Sequence, residues 1–187
     1  MDRKTEILDS AEKLARRHGY DGFSYADLER VVGIRKASIH HHFPSKAELA
    51  EALVRRYTDR MRAELSRISV SHSSAARRLR DYLAVYQKAL KGGEALCLCV
   101  VFSAGSQSLS DPVVELLKQY HDDSIDWLSG LFAQAAADQT IANVGEPKRE
   151  AIACLALVEG AQLLSRASRS EIPFEEATQQ MMARIID

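Results

Sequence analysis

The chain has 187 residues, of which 46% are apolar and 27% are charged, a composition that excludes a disordered or fibrous protein. The longest apolar runs, at 95–102 and 151–158, have 8 residues each, whereas a membrane-spanning helix needs about 20. The N-terminus lacks the apolar core of a secretory signal. We therefore expect no membrane association. Three cysteines, an odd number, favour free thiols in a reducing cytoplasm.

Positive charge is concentrated in one short segment. The net charge is −1, which excludes a generally basic nucleic-acid coat protein. Between Arg30 and Lys46, however, there are four Lys or Arg, three His and no Asp or Glu. Salt confines the field of such charges to about 10 Å, so a local patch can bind phosphate although the whole chain is almost neutral.

Apolar residues recur with the period of a helix along the chain, and they predict an all-α fold of about nine helices. The first helix buries the apolar positions 7, 8, 11, 14 and 15, and ends in a loop with Gly19 and Gly22. Ser24 is expected to cap the second helix together with Asp27, in a weak capping box. Gly33 ends that helix.

Two further signals bound the third and fourth helices. The third is short and ends near Phe43, because Pro44 disfavours helical backbone at the residue before it. Ser45 and Glu48 form the capping box S-x-x-E, which predicts a long fourth helix to about Ser66.

The sequence pattern also predicts helices in the C-terminal two thirds of the chain. Residues 69–74 are expected to form a short polar connection. Asp111 and Pro112 suit the N-cap and the first position of a helix. The remaining predicted helices lie at 75–90, 94–105, 111–137 and 147–170, and from Pro173 onward.

The segment from Ser24 to Lys46 has the layout of a helix-turn-helix, with a tight turn at Gly33. The N-terminal residues of its second helix would enter a major groove, where Arg and Lys read guanine. Successive histidines at 40, 41 and 42 point about 100° apart, so they do not form one metal site. They are instead placed to donate to phosphates on either side of the groove.

With these features, the first 60 or so residues resemble the DNA-binding domain of the tetracycline-repressor (TetR) family of bacterial transcription regulators. The matching residues are Ile7-Leu8-x-x-Ala11, Gly19-Tyr-x-Gly22-Phe23, Ser24, Gly33-Ile34, Ala37-Ser38-Ile39, His42-Phe43 and Ser45-Lys46-x-x-Leu49. The resemblance implies that phosphates are contacted by Ser24, His40, His41 and Lys46. It also implies that bases are approached by Arg35, Lys36 and Ser38. The family often has tyrosine at the positions of His40 and His41. Phe43 is expected to pack in the core, and the role of His42 stays open.

The remainder resembles the regulatory domain of the same family, whose members are homodimers joined through their last two long helices. Residues 151–164 carry one charge, Glu159, and a helix apolar nearly all round is buried on more than one side. We therefore expect a DNA-binding domain at 1–48 and a regulatory and dimerisation domain at 49–187.

The cysteines allow two interpretations. Cys97 and Cys99 would point about 200° apart on a helix, so they do not chelate one metal, and buried packing is one role for them. The regulatory half, however, resembles TetR-family repressors that sense electrophiles and oxidants. This resemblance implies that Cys97 is the reactive thiol and that Arg166 stands where those proteins have an assisting lysine. The matching segments are Cys97-Leu98, Phe102-Ser103-Ala104, Leu109-Ser110, Gly145-Glu146-Pro147 and Ser168-Arg169-Ser170.

A conventional ligand pocket is the other possible sensor. Its candidate lining residues, which could equally form ordinary core, are Tyr82, Tyr86, Phe102, Trp127 and Glu159. His121, Asp122 and Asp126 resemble a catalytic or metal cluster only superficially, because Asp122 and Asp126 share a helix face and His121 is offset from them by one residue. We therefore expect these three residues to lie on a solvated face.

The predicted function is a DNA-binding regulator, a repressor released from a palindromic operator by a small molecule or by thiol modification. Its expected partners are operator DNA, a second copy of the chain and an unidentified effector. The alternatives are a helical adaptor that does not bind DNA and, less favoured, an enzyme. No phosphate-binding loop, dinucleotide-binding, hydrolase or zinc-protease motif is present in the sequence. We expect no catalytic residues, metal site or cofactor.

Overall fold

The computed structural model describes residues 2–186. Within this range it has nine α-helices, and its only β pairing is the isolated bridge between Ile141 and Ile185. The predicted all-α fold of about nine helices is confirmed. The helices are α1 (Arg3–His18), α2 (Tyr25–Val32), α3 (Lys36–His42), α4 (Lys46–Ser71), α5 (Ala75–Leu90), α6 (Leu98–Ala104), α7 (Asp111–Asp138), α8 (Pro147–Ser168) and α9 (Ile172–Met182).

The chain divides into two compact units. The first comprises the residues up to Asp59 together with Leu98–Tyr120, and the second comprises Arg60–Cys97 and the residues from His121 onward. Helices α4 and α7 therefore each contribute residues to both units. The predicted division at residue 48 concerns function and stays a prediction.

The first unit holds the predicted helix-turn-helix. Both halves of the Ser24–Asp27 capping box are formed at the start of α2. Gly33 ends α2 with a φ of 74°, in the left-handed region that glycine adopts without strain. Gly22 also permits a close approach, because a Cβ there would lie 2.0 Å from the carbonyl oxygen of His18. Phe43 is 3% exposed, which confirms its predicted place in the core.

Two predicted boundaries are wrong. Helix α4 continues past Ser66 to Ser71, so most of the expected polar connection is helical. Ser69 fits this helix because its hydroxyl donates to the Leu65 carbonyl at 3.0 Å. The predicted helix at 94–105 is shorter and starts at Leu98, because the backbone N–H of Cys97 donates to the side chain of Gln162 instead.

In the second unit, α8 packs against α9 and α5. Among the described residues, α8 is the one helix whose length and hydropathy would allow it to cross a membrane, with 39% of its apolar window buried within the chain. Packing against α5 and α9 therefore buries the smaller part of this apolar window. The search for unbroken apolar runs in the sequence did not identify α8, because no such run exceeds 8 residues.

A clasp closes the C-terminal end of the second unit. Both terminal nitrogens of Arg184 donate to the carboxylate of Glu150, at 2.9 and 3.0 Å. The same guanidinium donates to the carbonyls of Ala142 and Asn143. The backbone N–H of Ile186 donates to Thr140, which adds a main-chain link. The tail is thereby attached to the loop before α8.

We predict that Arg184→Ala lowers the free energy of unfolding at pH 7 by about 1.5–3 kcal/mol, the usual range for hydrogen bonds to charged groups. Hydrogen bonds from Arg184 hold the pKa of Glu150 below its ordinary value. A depressed carboxyl pKa stabilises the fold above the unfolded value, about 4.3, and this stability is lost as the pH falls through the folded value. The difference from wild type should therefore shrink between pH 7 and pH 3.5 in urea denaturation.

The control is Arg77→Ala, which removes an exposed arginine of α5 and should change the stability by less than about 0.5 kcal/mol. A wild-type stability for Arg184→Ala, or a loss that is independent of pH, contradicts the assignment.

Candidate nucleic-acid interface and effector region

The start of α3 presents two free cations. Arg35 is the N-cap residue and Lys36 the first residue of the helix. Both are exposed, and within residues 2–186 neither side chain takes part in an ion pair or a hydrogen bond. Ser38 lies one turn further on and is half-buried. Neither cation has to leave a partner before it can bind an anion.

A hydrogen bond across the turn fixes the start of α3. The carboxylate of Glu29, on α2, accepts from the backbone N–H of Lys36 at 3.2 Å. This N–H belongs to the first turn of the helix, where no carbonyl within the helix is available to it. Glu29 was not among the predicted site residues, and its position near the end of α2 gave no sign of this role.

Four of the seven predicted DNA-binding residues line one pocket of about 270 Å³. The lining residues are Phe23, Ser24, Tyr25, Lys36, His40 and Lys46. The pocket thus brings together the start of α2, one face of α3 and the start of α4. Arg35, Ser38 and His41 are not among its lining residues.

Lys46 is held by the loop before α2. Its Nζ donates to the Phe23 carbonyl at 2.6 Å and lies 4.6 and 4.7 Å from the ring centroids of Tyr20 and Phe23. Burial lowers the pKa of Lys46, against the opposing effect of Asp21 and Asp27. An ammonium group has three N–H donors, so donors remain for a second acceptor in the pocket.

The hydroxyl of Ser24 is already used in the capping box. It donates to the carboxylate of Asp27 at 2.7 Å and accepts from the backbone N–H of Asp27 at 3.4 Å. The hydroxyl and the backbone N–H of Ser24 both donate to the Asp27 carboxylate, and these two bonds lower the pKa of Asp27. A serine hydroxyl has one hydrogen, so a phosphate contact through Ser24 requires this hydrogen to leave Asp27.

The histidines of α3 have different surroundings. The Nδ1 of His40 lies 3.1 Å from the Pro44 carbonyl oxygen, and its ring centroid is 4.7 Å from that of Tyr25. His41 is exposed and makes an edge contact with His42, with ring centroids 5.4 Å apart. Over residues 2–186, no group of three His, Cys, Asp or Glu is arranged to hold a metal ion.

The second unit contains four of the five predicted pocket residues. The ring of Tyr82 is stacked with that of Trp127 at 5.6 Å and lies 5.0 Å from that of Tyr86. Complete burial raises the pKa of Tyr82 well above its ordinary value. The indole N–H of Trp127 donates to Ser69 at 2.9 Å. The fifth residue, Phe102, belongs to the first unit, so a pocket lined by all five stays a prediction.

Glu159 has a partner that the sequence pattern did not suggest. Its carboxylate lies 3.0 Å from Nε2 of His121, and each side chain is 24% exposed. His121, which was expected on a solvated face, instead pairs with α8. The offset from Asp122 and Asp126 that argued against a metal cluster turns His121 toward this partner.

Two side chains of α8 hold the segment before α6. The Oε1 of Gln162 accepts from the backbone N–H of Cys97 at 2.8 Å, and Arg166 donates to the Glu94 carbonyl at 2.7 Å. Gln162 is fully buried, and its Nε2 has no hydrogen-bond partner within residues 2–186. Gln162 was not among the predicted site residues, and its polar side chain within the apolar stretch at 151–164 is the signal that could have identified it.

All three cysteines are buried, and none of them forms a disulfide within residues 2–186. Cys97 and Cys154 are both 0% exposed. Burial raises the pKa of Cys154 to about 12, so its thiol stays protonated at neutral pH and is a poor nucleophile.

Comparisons with known proteins agree with this architecture. The family model described as "Bacterial regulatory proteins, tetR family" matches residues 7–53. A transcriptional regulator of the TetR family from Agrobacterium tumefaciens has a crystal structure with a TM-score of 0.92 and 32% identity, covering 98% of this chain and 97% of that one. A TetR transcriptional regulator from Legionella pneumophila has a TM-score of 0.88 and 30% identity, covering 100% and 98%.

A relative with a more specific name also spans almost the whole chain. The HTH-type transcriptional repressor NemR of Escherichia coli K12 is 28% identical over 182 residues, which cover 94% of this chain and 90% of NemR. The crystal structure of the reduced form of E. coli NemR has a TM-score of 0.83 and 25% identity, covering 100% and 98%. Together with the helix-turn-helix geometry, these likenesses show that the chain belongs to the TetR family of bacterial transcriptional regulators.

Proposed function

We propose that this protein is a transcriptional repressor that binds a palindromic operator as a homodimer and leaves it when an effector acts on the second unit. The function as a ligand-responsive DNA-binding repressor follows from the family and its named relatives. The phosphate contacts are assigned to Ser24, His40, His41 and Lys46. The base contacts are assigned to Arg35, Lys36 and Ser38.

The observation that carries the DNA contacts is the pair of exposed, unpartnered cations at the start of α3, beside a pocket lined by Lys36, His40 and Lys46. Arg35 and Lys36 stand where a recognition helix presents its N-terminal residues to base edges. The pocket gathers cationic and hydrogen-bonding groups at one place, which suits a phosphate of the DNA backbone.

The proposed dimer interface is an exposed stripe on α8. Ile152 and Leu163 are 48% and 43% exposed, and Ala156, Gly160 and Ala167 lie on the same stripe at intervals of three or four residues. Small residues between larger apolar ones let two helices approach closely. Leu164 and Ile172 are also exposed, at 60% and 57%. The second helix assigned to the interface is α9, which has 11 residues.

The proposed effector site is the segment before α6 and the side chains around it. Gln162 and Arg166 hold this segment at Cys97 and Glu94, and Cys97 is the last residue before the chain enters the first unit. Modification of the Cys97 thiol adds volume to a closely packed interior, which tolerates little overpacking. The second candidate route is a conventional ligand at the predicted pocket residues of the second unit, Tyr82, Tyr86, Trp127 and Glu159. It is supported by the buried Nε2 of Gln162, which has no hydrogen-bond partner within residues 2–186.

The proposal places the protein in the cytoplasm and gives it no enzymatic activity, as is expected of a repressor of bacterial operators. Binding to duplex DNA distinguishes the repressor from the alternative, a helical adaptor. A repressor binds duplex DNA with an affinity that falls linearly with salt on logarithmic axes, whereas an adaptor gives no such binding in a gel-shift titration.

We predict that Lys36→Ala and Lys46→Ala weaken DNA binding in different ways. Loss of a base contact by Lys36 should alter base preference and cost about 1–3 kcal/mol on the preferred sequence. Loss of a phosphate contact by Lys46 should weaken binding to all sequences and flatten the salt dependence by about one unit. Binding to a randomised duplex library at several salt concentrations measures both effects.

Lys13→Ala, which removes an exposed lysine of α1, is the control for loss of charge alone, and melting temperatures check the folding of each variant. The assignments are reversed if Lys46→Ala changes sequence preference and Lys36→Ala changes only the salt slope.

We predict that the protein sediments as a dimer at micromolar concentration and that Leu163→Arg yields monomers, because a buried unpaired charge is strongly unfavourable. Val70→Arg is the matched control, since Val70 is 86% exposed and lies on α4. If Leu163→Arg disturbs the dimer no more than Val70→Arg does, the stripe on α8 is not the interface.

We predict that Cys97→Ser binds the operator but no longer releases it after treatment with a quinone or hypochlorite. Cys154→Ser should respond like wild type, because its thiol is held protonated. Operator release is followed by fluorescence anisotropy with reduced protein. Equal release of wild type and Cys97→Ser, or no release of either, assigns Cys97 to packing and leaves a conventional ligand as the effector.

A further inference from the structure

The tautomer of neutral His40 is selected by the atom that faces its Nδ1. That atom is the carbonyl oxygen of Pro44, 3.1 Å away. A carbonyl oxygen accepts hydrogen bonds and cannot donate them. The hydrogen in this contact therefore belongs to Nδ1, and the carbonyl of Pro44 selects the Nδ1–H tautomer of the neutral ring.

The other ring nitrogen is left without a hydrogen. In neutral His40, Nε2 carries a lone pair and can only accept a hydrogen bond. A phosphate oxygen of DNA is also only an acceptor, so the two atoms cannot bond. In the protonated ring Nε2 gains a hydrogen, and the contact becomes a strong bond between a cation and an anion.

From this geometry we infer that His40 contacts a DNA phosphate only as the imidazolium cation, so that each subunit takes up one proton at His40 when it binds DNA. The inference rests on the proposed function, because it assigns a protonation state to one of the proposed phosphate contacts. It makes operator affinity depend on pH through one named residue.

The groups around His40 are consistent with an anion as the missing partner. Tyr25 covers the ring, but its hydroxyl donates to the Phe43 carbonyl, and burial raises its pKa to about 12, so it stays neutral. Glu48, which acts on Tyr25, is bonded to Ser45 at the start of α4. The other titratable groups that share the pocket or adjoin His40 on α3 are Lys36, Lys46, His41 and His42. A phosphate would compensate the cations of this pocket.

His41 provides a contrast one residue further along α3. Its ring nitrogens make no hydrogen bond in the described part of the chain. Neutral His41 can therefore place its single hydrogen on either nitrogen and donate to a phosphate without taking up a proton. The pH dependence is assigned to His40 because only there does a carbonyl fix the tautomer.

The sign of the effect follows from linkage. Because a proton is taken up when His40 binds a phosphate, DNA binding is strongest at low pH and weakens as the pH rises. For each proton taken up on binding, the affinity falls by up to about tenfold for every unit by which the pH rises. Histidines commonly titrate between about pH 5 and 8, which sets the range to examine.

The test uses the full-length protein and a 30-base-pair duplex selected by it from a random-sequence library at pH 6.5. Affinities for this duplex are measured by fluorescence anisotropy from pH 6.0 to pH 8.0 at constant ionic strength. Wild-type affinity should fall about tenfold or more over this range. His40→Tyr should change less than about threefold, because a tyrosine hydroxyl donates at every pH in the range.

His40→Gln is the second variant, since an amide also donates at every pH, and it replaces His40→Tyr if melting curves show that the tyrosine does not fold. His41→Tyr is the matched control and should keep the wild-type pH slope, whatever its affinity. Calorimetry in buffers of different ionisation enthalpy should show about one proton fewer taken up per subunit for His40→Tyr than for wild type.

The outcomes separate the inference from the proposed function. If a duplex is selected and its affinity depends on pH equally in wild type, His40→Tyr and His40→Gln, the inference is overturned and the repressor function still stands. A slope lost in His41→Tyr and kept in the His40 variants also overturns it. Failure to select any duplex at pH 6.5 overturns the proposed function and the inference together.

Discussion

The hydrogen bond from the Lys36 N–H to the carboxylate of Glu29 is the constraint on which the candidate nucleic-acid interface depends. It spans the turn at Gly33, where the left-handed backbone redirects the chain. Helix α3 has only seven residues, and short helices are marginal in isolation. A fixed first turn, together with buried Ile39, therefore determines where the side chains of Arg35 and Lys36 emerge.

Five of the seven proposed DNA contacts fall into two physical groups, to which Ser38 and His41 do not belong. Ser24, His40 and Lys46 each have an intramolecular partner, so their orientations are set before any ligand arrives. Less side-chain entropy is then lost on binding. Arg35 and Lys36 have no such partner and keep the mobility needed to reach different base edges. Rigid groups at the backbone and adaptable groups at the bases suit a protein that must first fix its register and then read sequence.

Helix α8 has two functions in this interpretation. Its buried face, with Gln162 and the pair of Glu159 with His121, holds the interior of the second unit. Its exposed stripe is available to a second copy of the chain. A polar amide at the centre of an apolar helix is costly unless it is bonded. The bond from the Cys97 N–H to Gln162 offsets part of this cost and connects α8 to the segment before α6.

The sequence by itself determined the fold class, the helix-turn-helix and the caps, because these depend on residues a few positions apart. Apolar periodicity, the capping box at Ser24 and the glycine at position 33 all act locally. Contacts distant in sequence act where the predicted boundaries were wrong. Near the end of α4, Trp127 donates to Ser69, which also bonds locally to Leu65. Before α6, Cys97 donates to Gln162.

The same distinction applies to the candidate sites. Residue types, spacing and the family resemblance together singled out four of the six residues that line the pocket beside α3. Only the tertiary structure placed the Nζ of Lys46 near two aromatic rings, paired His121 with Glu159 and brought the Pro44 carbonyl within hydrogen-bonding distance of His40. Hydrogen-bond partners depend on distances of a few tenths of an ångström between segments that the sequence alone does not bring together, so the chemical state of a site is decided by packing.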